Sequence, residues 1–358
     1  MGKRIVIMAG GTGGHVFPAL AVAEFLMAQG WEVSWLGTQK GLENRVVPAQ
    51  GIMIDYLTVA GFRGKGVGSK ITAVVMLFKA FFQALRILRM RKPDVVIGMG
   101  GFVAGPGGLM AKVLGIPLII HEQNRVPGTT NRLLARMASQ VLEAFPGSFK
   151  KALNAKCTGN PLRKDFLVKL NSEKATSTHD IRILIVGGSQ GAQILNEIVP
   201  EAIIEYQQAN KAMNLVQIKH QTGEAMLSKV KNRYKELAIE ADVSAFIGDM
   251  VAAYQWADLV ICRAGAMTIS EVAAMGVPAI FIPLPNAIDD HQTANAHYLT
   301  DAGAGMILKQ SELTPVSLAA YIQESRHKLT GMKVAALTCA RLDATEIVAA
   351  YCMAEAGL

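Results

Sequence analysis

Short apolar runs, each closing on glycine or a polar cluster and each followed by a stretch with helical spacing, recur along this chain. Ile5 to Met8 is β-branched and apolar, the pattern of a strand buried on both faces, and Ala19 to Met27 has helical spacing with Glu24 turned outward. Val33 to Leu36 reads as the next strand and stops at Gly37-Thr38. Val95 to Gly98 runs into "GMGGFVAGPGG" (Gly98 to Gly108), and Pro117 to Ile120 ends in "HEQN" (His121 to Asn124). At Asp180 the plan restarts: "IRILIVGGSQGAQILN" (Ile181 to Asn196) repeats the strand, glycine loop and helix of "IVIMAGGTGGHVFPAL" (Ile5 to Leu20). Alternation of this kind predicts an α/β protein with two Rossmann-like, doubly wound parallel-sheet domains facing each other across a cleft. "TGNPLRKDF" (Thr158 to Phe166) has the proline and polar residues of a linker, so the domains are expected at 1–163 and from 164 onward.

Length and composition agree with two cores. The chain has 358 residues, 51% of them hydrophobic, yet no uncharged apolar span reaches about 18 residues. Lys3-Arg4 leads straight into a strand, so no secretory signal is expected and a cytosolic setting is. Cys157, Cys262, Cys339 and Cys352 are scattered without CxxC spacing and are expected as reduced thiols. Charge is divided unevenly. Residues 1–163 hold 20 Lys and Arg against 7 Asp and Glu, while the rest of the chain is net negative within a total of +8. A basic half suits an anionic membrane, a phosphorylated substrate or nucleic acid, but the chain carries neither an aromatic stacking surface nor a nucleic-acid recognition motif, so no nucleic-acid partner is expected.

The glycine loops are where chemistry is expected. Gly10, Gly11, Gly13 and Gly14 let the backbone bend and approach a ligand, and a following helix start favours an anion. The dinucleotide fingerprint fails, because Val16 stands where its last glycine belongs, and no Lys-Ser or Lys-Thr completes a P-loop. His15, after the loop, is either a helix-start packing residue or a proton-transfer group. In "CRAGAMTISE" (Cys262 to Glu271) a strand meets a helix start: backbone N–H groups there suit a diphosphate, and Glu271 either accepts ribose hydroxyls or is a solvated helix residue. Asp289, Gln292 and Asn295 form a polar cluster suited to sugar hydroxyls or to capping. Ser69 to Pro93, as a helix, gathers Ile71, Val74, Val75, Leu77, Phe78, Phe81, Phe82, Leu85 and Leu88 on one broad face flanked by Lys70, Lys79, Arg86, Arg89, Arg91 and Lys92. Either that face is wholly core, or part of it meets an anionic inner-leaflet membrane surface. "GFRGKGVG" (Gly61 to Gly68) precedes it as a cationic loop.

"GGTGGH", "GMGGFVAGPGG", "HEQN", "GNPLR", "GGSQGA" and "CRAGAMTISE", in this order and spacing, resemble the MurG family of bacterial UDP-N-acetylglucosamine transferases. The resemblance runs from Lys3 to the last helix. It implies a GT-B fold, with the UDP-sugar held by the second domain (164–340), the lipid acceptor by the first (1–163), and the final helix (341–358) packed back on the first. It implies UDP-N-acetylglucosamine (UDP-GlcNAc) as donor and lipid I, the undecaprenyl-diphosphate-linked muramyl-pentapeptide, as acceptor, with lipid II for peptidoglycan synthesis as product and peripheral attachment to the cytoplasmic face of the inner membrane. Carried over by position, Thr12, Gly13 and Gly14 would face the donor phosphates or sugar, Asn124 the N-acetylglucosamine, and Arg163 and Ser189 the diphosphate. Ile247 would read uracil through its main chain, Ala266, Met267, Thr268, Ile269 and Ser270 would line the nucleotide, Glu271 would hold the ribose, and Gln292 the sugar hydroxyls.

Inverting transfer needs a base for the attacking hydroxyl and stabilisation of the departing diphosphate. His15 and Glu122 are the candidates for the base; an ordinary histidine, with a pKa of about 6.5, suits proton transfer near neutral pH. No D-x-D pair stands at a strand end, and the resemblance implies neither metal nor cofactor. A UDP-GlcNAc 2-epimerase or another GT-B transferase is the alternative, since its nucleotide site would read alike.

Overall fold

The structure, a computed structural model, describes residues 2–59, 67–168, 181–187, 192–210, 216–285 and 288–357. The chain divides into two compact units, Met1–Lys164 with Arg341–Leu358, and Asp165–Ala340.

The first unit is built on β1 (Arg4–Met8), β2 (Glu32–Gly37), β3 (Met53–Tyr56), β4 (Val95–Gly98), β5 (Leu118–Glu122), β6 (Gln140–Glu143) and β7 (Lys156–Cys157), with α1 (Gly13–Ala28), α2 (Glu43–Val46), α3 (Val67–Arg91), α4 (Ala104–Val113) and α5 (Thr129–Leu134) between them. Its seven strands lie in the order β3-β2-β1-β4-β5-β6-β7, every pair parallel. This is the doubly wound order, in which the chain reverses direction across the sheet beside β1 and the loops after β1 and β4 meet at the switch point. Strand alternation divides the core. Ile5 and Ile7 face α1, whose Val16, Ala19, Val22, Ala23 and Leu26 cover them. Val6 and Met8 face the opposite layer, with Ala84 and Leu88 of α3 and Ala104 and Ala111 of α4.

The second unit begins near α6 (Lys164–Val168) and repeats the plan with β8 (Ile181–Val186), α7 (Gln193–Ala209), β9 (Val216–Gln221), α8 (Leu227–Glu236), β10 (Asp242–Ser244), α9 (Met250–Trp256), β11 (Leu259–Cys262), α10 (Ala266–Met275), β12 (Ala279–Phe281), α11 (His291–Thr300), β13 (Gly305–Ile307), α12 (Pro315–Arg326) and α13 (Leu329–Thr338). Its six parallel strands are ordered β10-β9-β8-β11-β12-β13. Ile181, Ile183 and Ile185 of β8 pack on Leu195, Val199 and Ile203 of α7 and Leu318 and Ile322 of α12. The last helix, α14 (Ala344–Glu355), belongs to the first unit: its Val348, Ala349 and Cys352 join the α1 core.

The helix α3 divides its apolar residues differently from the broad single face read in the sequence. Ala80, Ala84 and Leu88 are buried, whereas Val75, Phe78 and Phe82 are 61%, 60% and 71% exposed. Two alanines one turn apart let the helix lie close to the sheet, and the phenylalanines, each two residues before one of them and so about 160° round the helix, are left outside. The side chains of Lys70, Ile71 and Val74 are not described, and residues 60–66, which include most of the cationic stretch expected before the helix, lie outside the described residues.

Candidate active site

At the end of β1 the backbone turns through Gly11, with φ of 96°, and enters α1 after Thr12. A carboxylate braces this turn from beneath. Glu43, fully buried, accepts from Gly11 N–H (3.0 Å), Thr38 N–H (2.9 Å) and Thr38 Oγ (2.7 Å). The Gly11 amide is therefore already committed. Thr12 is exposed and its hydroxyl makes no cap, and the amides of Gly13 and Gly14, next along the chain, have no protein acceptor among the described residues. Two backbone donors at the positive end of a helix remain for an anion. Arg163 belongs to the same place: its guanidinium lies 5.6 Å from the centre of the Phe17 ring, and that ring is so close to Gly13 that a Cβ there would meet it at 2.8 Å.

His15 sits in the first turn of α1, half-buried, against Gly100, whose φ of 105° brings bare backbone to the imidazole. A side chain at Gly100 would start 2.5 Å from His15 Nδ1, so the second glycine loop makes room for this ring. On its other side His15 Nδ1 lies 2.7 Å from Gln123 Oε1. The Gln123 amide donates to His121 Nδ1 (3.0 Å) and to the His121 carbonyl (3.2 Å), and His121 Nε2 meets the Gly159 carbonyl at 3.0 Å. Burial pulls the His121 pKa down to about 4, partly opposed by that carbonyl, so the ring is neutral at physiological pH.

Glu122 does not fit the base role read from the sequence. It is buried, and its carboxylate accepts from Asn124 N–H (2.9 Å), Asn124 Nδ2 (3.2 Å), Gly128 N–H (3.1 Å) and Asn131 Nδ2 (2.9 Å). With four donors on two oxygens it is a scaffold for the loop after β5, and one of its tasks is to fix the Asn124 amide.

In the second unit Gly187 follows β8, and Ser189 lies outside the described residues. Ile247, in the loop between β10 and α9, is partly exposed, and its main-chain N–H and C=O have no protein partner among the described residues, the condition for pairing with a base edge. Gly265 caps α10, and the amides of Met267 and Thr268 stand at its start without protein acceptors among the described residues. Ala266 is buried. Glu271, one turn on and partly buried, is held by the Tyr254 hydroxyl, which donates to Oε2 at 3.2 Å. Two residues expected to line the nucleotide are otherwise engaged. Ile269 is fully buried, and its N–H is bonded to the Gly265 carbonyl. The Ser270 hydroxyl donates back to the Ala266 carbonyl at 3.1 Å.

The remaining polar residues divide into ties and donors. Arg263 is a strut: it donates to the carbonyls of Ile282 (3.0 Å) and Pro283 (3.2 Å) and to Gln310 Oε1 (2.8 Å), and burial lowers its pKa. Asn295, fully buried, donates to the Ala264 carbonyl at 3.2 Å. Gln292 accepts through Oε1 from Ala264 N–H (3.3 Å) and Leu284 N–H (3.0 Å), which spends its carbonyl and leaves its NH₂ as the group for a hydroxyl ligand. The sequence reading passed over Glu43, His121, Gln123, Tyr254 and Arg263 as working parts. For Gln123 a signal existed inside "HEQN"; for Glu43 the partners are brought together only by the fold.

Comparison with known proteins bears on the family and the fold. Residues 5–143 match the glycosyltransferase family 28 N-terminal domain, and residues 182–343 match the family 28 C-terminal domain. The chain is 58% identical, over 360 aligned residues covering 100% of both chains, to a protein of Methylococcus capsulatus named UDP-N-acetylglucosamine--N-acetylmuramyl-(pentapeptide) pyrophosphoryl-undecaprenol N-acetylglucosamine transferase. A protein of the same name from Shewanella oneidensis is 46% identical, covering 99% of this chain and 98% of its own length. The crystal structure of Acinetobacter baumannii MurG superposes with a TM-score of 0.85 at 43% identity, covering 98% of this chain and 99% of that one.

Proposed function

Because this chain belongs to glycosyltransferase family 28 and has the GT-B fold, we propose that it transfers N-acetylglucosamine from UDP-GlcNAc to the muramyl 4-hydroxyl of lipid I, forming lipid II for peptidoglycan synthesis. The observation that carries the reading is identity of 58% along the whole length to a transferase bearing that name. The same relatives favour transfer to an acceptor over 2-epimerisation.

The second unit takes the nucleotide. The Ile247 main chain pairs with uracil, the amides of Met267 and Thr268 meet the phosphates, and Glu271, oriented by Tyr254, accepts the ribose hydroxyls. The Gln292 NH₂ donates to a sugar hydroxyl. In the first unit, Gly13 and Gly14 at the start of α1 supply two N–H donors for phosphate charge, with Thr12 beside them, and Asn124 meets the N-acetylglucosamine. His15 Nε2 takes the proton of the 4-hydroxyl as its oxygen attacks the anomeric carbon, the bond from that carbon to the diphosphate oxygen breaks, and UDP leaves on the opposite face with the bonding electrons. One displacement inverts the anomeric centre from α to β, and the helix-start donors and Arg163 stabilise the charge that develops on the leaving diphosphate.

The acceptor's lipid tail calls for attachment to the membrane. No helix among the described residues is long and apolar enough to cross one. In support of a peripheral attachment to the cytoplasmic face of the inner membrane, α3 exposes Val75, Phe78 and Phe82 beside the exposed cations Lys79, Arg86 and Arg89, a composition suited to an anionic leaflet. UDP release measured with UDP-GlcNAc, UDP-glucose and UDP-GalNAc, each with and without a water-soluble lipid I analogue, tests the function. Release that needs both UDP-GlcNAc and the acceptor is expected; formation of UDP-N-acetylmannosamine without acceptor would make the protein an epimerase.

A further inference from the structure

The hydrogen bonds behind His15 run in only one direction. Their far end is the Gly159 carbonyl, which can only accept, so His121 Nε2, 3.0 Å away, carries the proton. His121 is neutral and fully buried, and its Nδ1 is then a bare lone pair that needs a donor. Gln123 supplies it with one amide hydrogen at 3.0 Å, and the second hydrogen goes to the His121 carbonyl at 3.2 Å, another group that only accepts. The amide cannot turn over, because its oxygen would then face two acceptors in a buried site. Gln123 Oε1 therefore points at His15, and a donor is required of His15 Nδ1 at 2.7 Å. The backbone of the relay is pinned as well: Asn160 Nδ2 donates to the Gln123 carbonyl at 3.1 Å, and a Cβ at Gly159, whose φ is 82°, would start 2.4 Å from Arg341 Cβ.

We propose that Gln123 and His121 are positioning residues which, through the carbonyls of Gly159 and His121, hold His15 as its Nδ1–H tautomer and so keep Nε2 as the basic nitrogen. This deepens the reading of His15 as the base and rests on it only for its catalytic consequence. In histidine sites generally the hydrogen bond made by one ring nitrogen sets the state of the other. Here a primary amide does it without adding charge, and its own orientation is set by two backbone carbonyls rather than by a carboxylate.

The test is nitrogen NMR of the full chain carrying ¹⁵N-imidazole histidine, with the His15 signals identified among the seven histidines by their loss in His15→Gln. At alkaline pH the wild type is expected to show the proton on Nδ1 and an unprotonated Nε2. Gln123→Met, which keeps the volume and removes the amide, is expected to populate the Nε2–H tautomer and to lower kcat by roughly tenfold or more with UDP affinity unchanged. A wild-type signal with Nε2 protonated would overturn the relay, and it does so even if the variant fails to fold. An unchanged tautomer in folded Gln123→Met would remove Gln123 from the account. Near-normal turnover of His15→Ala, with the expected tautomer intact, would instead sink the base assignment and leave the relay standing.

Discussion

Asn131 Nδ2 donates to Glu122 Oε2 at 2.9 Å, one of four donors that converge on this buried carboxylate from the loop and helix after β5. Glu122 is thus a brace for the segment that carries Asn124. Glu122→Gln turns an acceptor into a donor facing N–H groups and is expected to cost about 1–3 kcal/mol of stability, read as a fall in the thermal midpoint, with a much smaller loss of turnover than His15→Ala. An unchanged midpoint together with a loss of turnover as large as that of His15→Ala would restore Glu122 as the base.

Glu271→Ala is expected to weaken UDP binding by about 1.5–3 kcal/mol, since a charged acceptor for the ribose is lost. Tyr254→Phe removes the donor that steadies Glu271 and should weaken UDP binding in the same direction by about 0.5–1.5 kcal/mol. Calorimetry with UDP alone measures both. Equal affinity in wild type and Glu271→Ala would leave Glu271 as an ordinary helix residue.

The two parallel sheets were legible because buried strands such as Ile5 to Met8 and Leu259 to Cys262 carry their pattern in consecutive residues. The glycine turn after β1 and the α10 start were legible for the same local reason. What sequence could not yield were the partners: Glu43 reaches Gly11 across 32 positions, and His15 reaches Gln123 across 108. Such contacts depend on strand order, which one-dimensional spacing does not encode. Ile269 is buried and the Ser270 hydroxyl bonds back to its own helix, because successive helical residues turn about 100° apart, a direction that position in "CRAGAMTISE" does not itself display. Phe78 and Phe82 were ambiguous until the alanine stripe of α3 fixed which side meets the sheet.

Acid should destabilise both units. His121 and His220 are buried, and desolvation lowers their pKa values to about 4 and about 3. Unfolded, each titrates near 6.5, so the unfolded chain binds more protons below that pH and stability falls as pH drops from about 6.5 toward these folded values. The slope is up to about 1.4 kcal/mol per pH unit for each histidine. Urea unfolding at pH 7, 6 and 5 measures it, and a flat profile over that range would show that the two rings are not held neutral.

The exposed apolar ridge of α3 carries a separate expectation. Phe78→Ser with Phe82→Ser should leave stability within about 0.5 kcal/mol, as both rings lie outside the core, while weakening attachment to anionic vesicles. Lys79→Glu with Arg86→Glu should weaken it further at low salt, at about 1 kcal/mol per cation, with activity on a water-soluble acceptor retained. Equal co-sedimentation of wild type and both double variants with anionic vesicles would remove α3 from membrane attachment.

The central claim is transfer of one sugar with inversion, and the product itself tests it. Wild-type protein, UDP-GlcNAc labelled with ¹³C at the anomeric carbon and a soluble lipid I analogue should give one molecule of UDP for each disaccharide formed, with the labelled carbon β-linked to the muramyl 4-oxygen by NMR. An α linkage, free N-acetylglucosamine, or UDP-N-acetylmannosamine in place of that disaccharide would contradict the account.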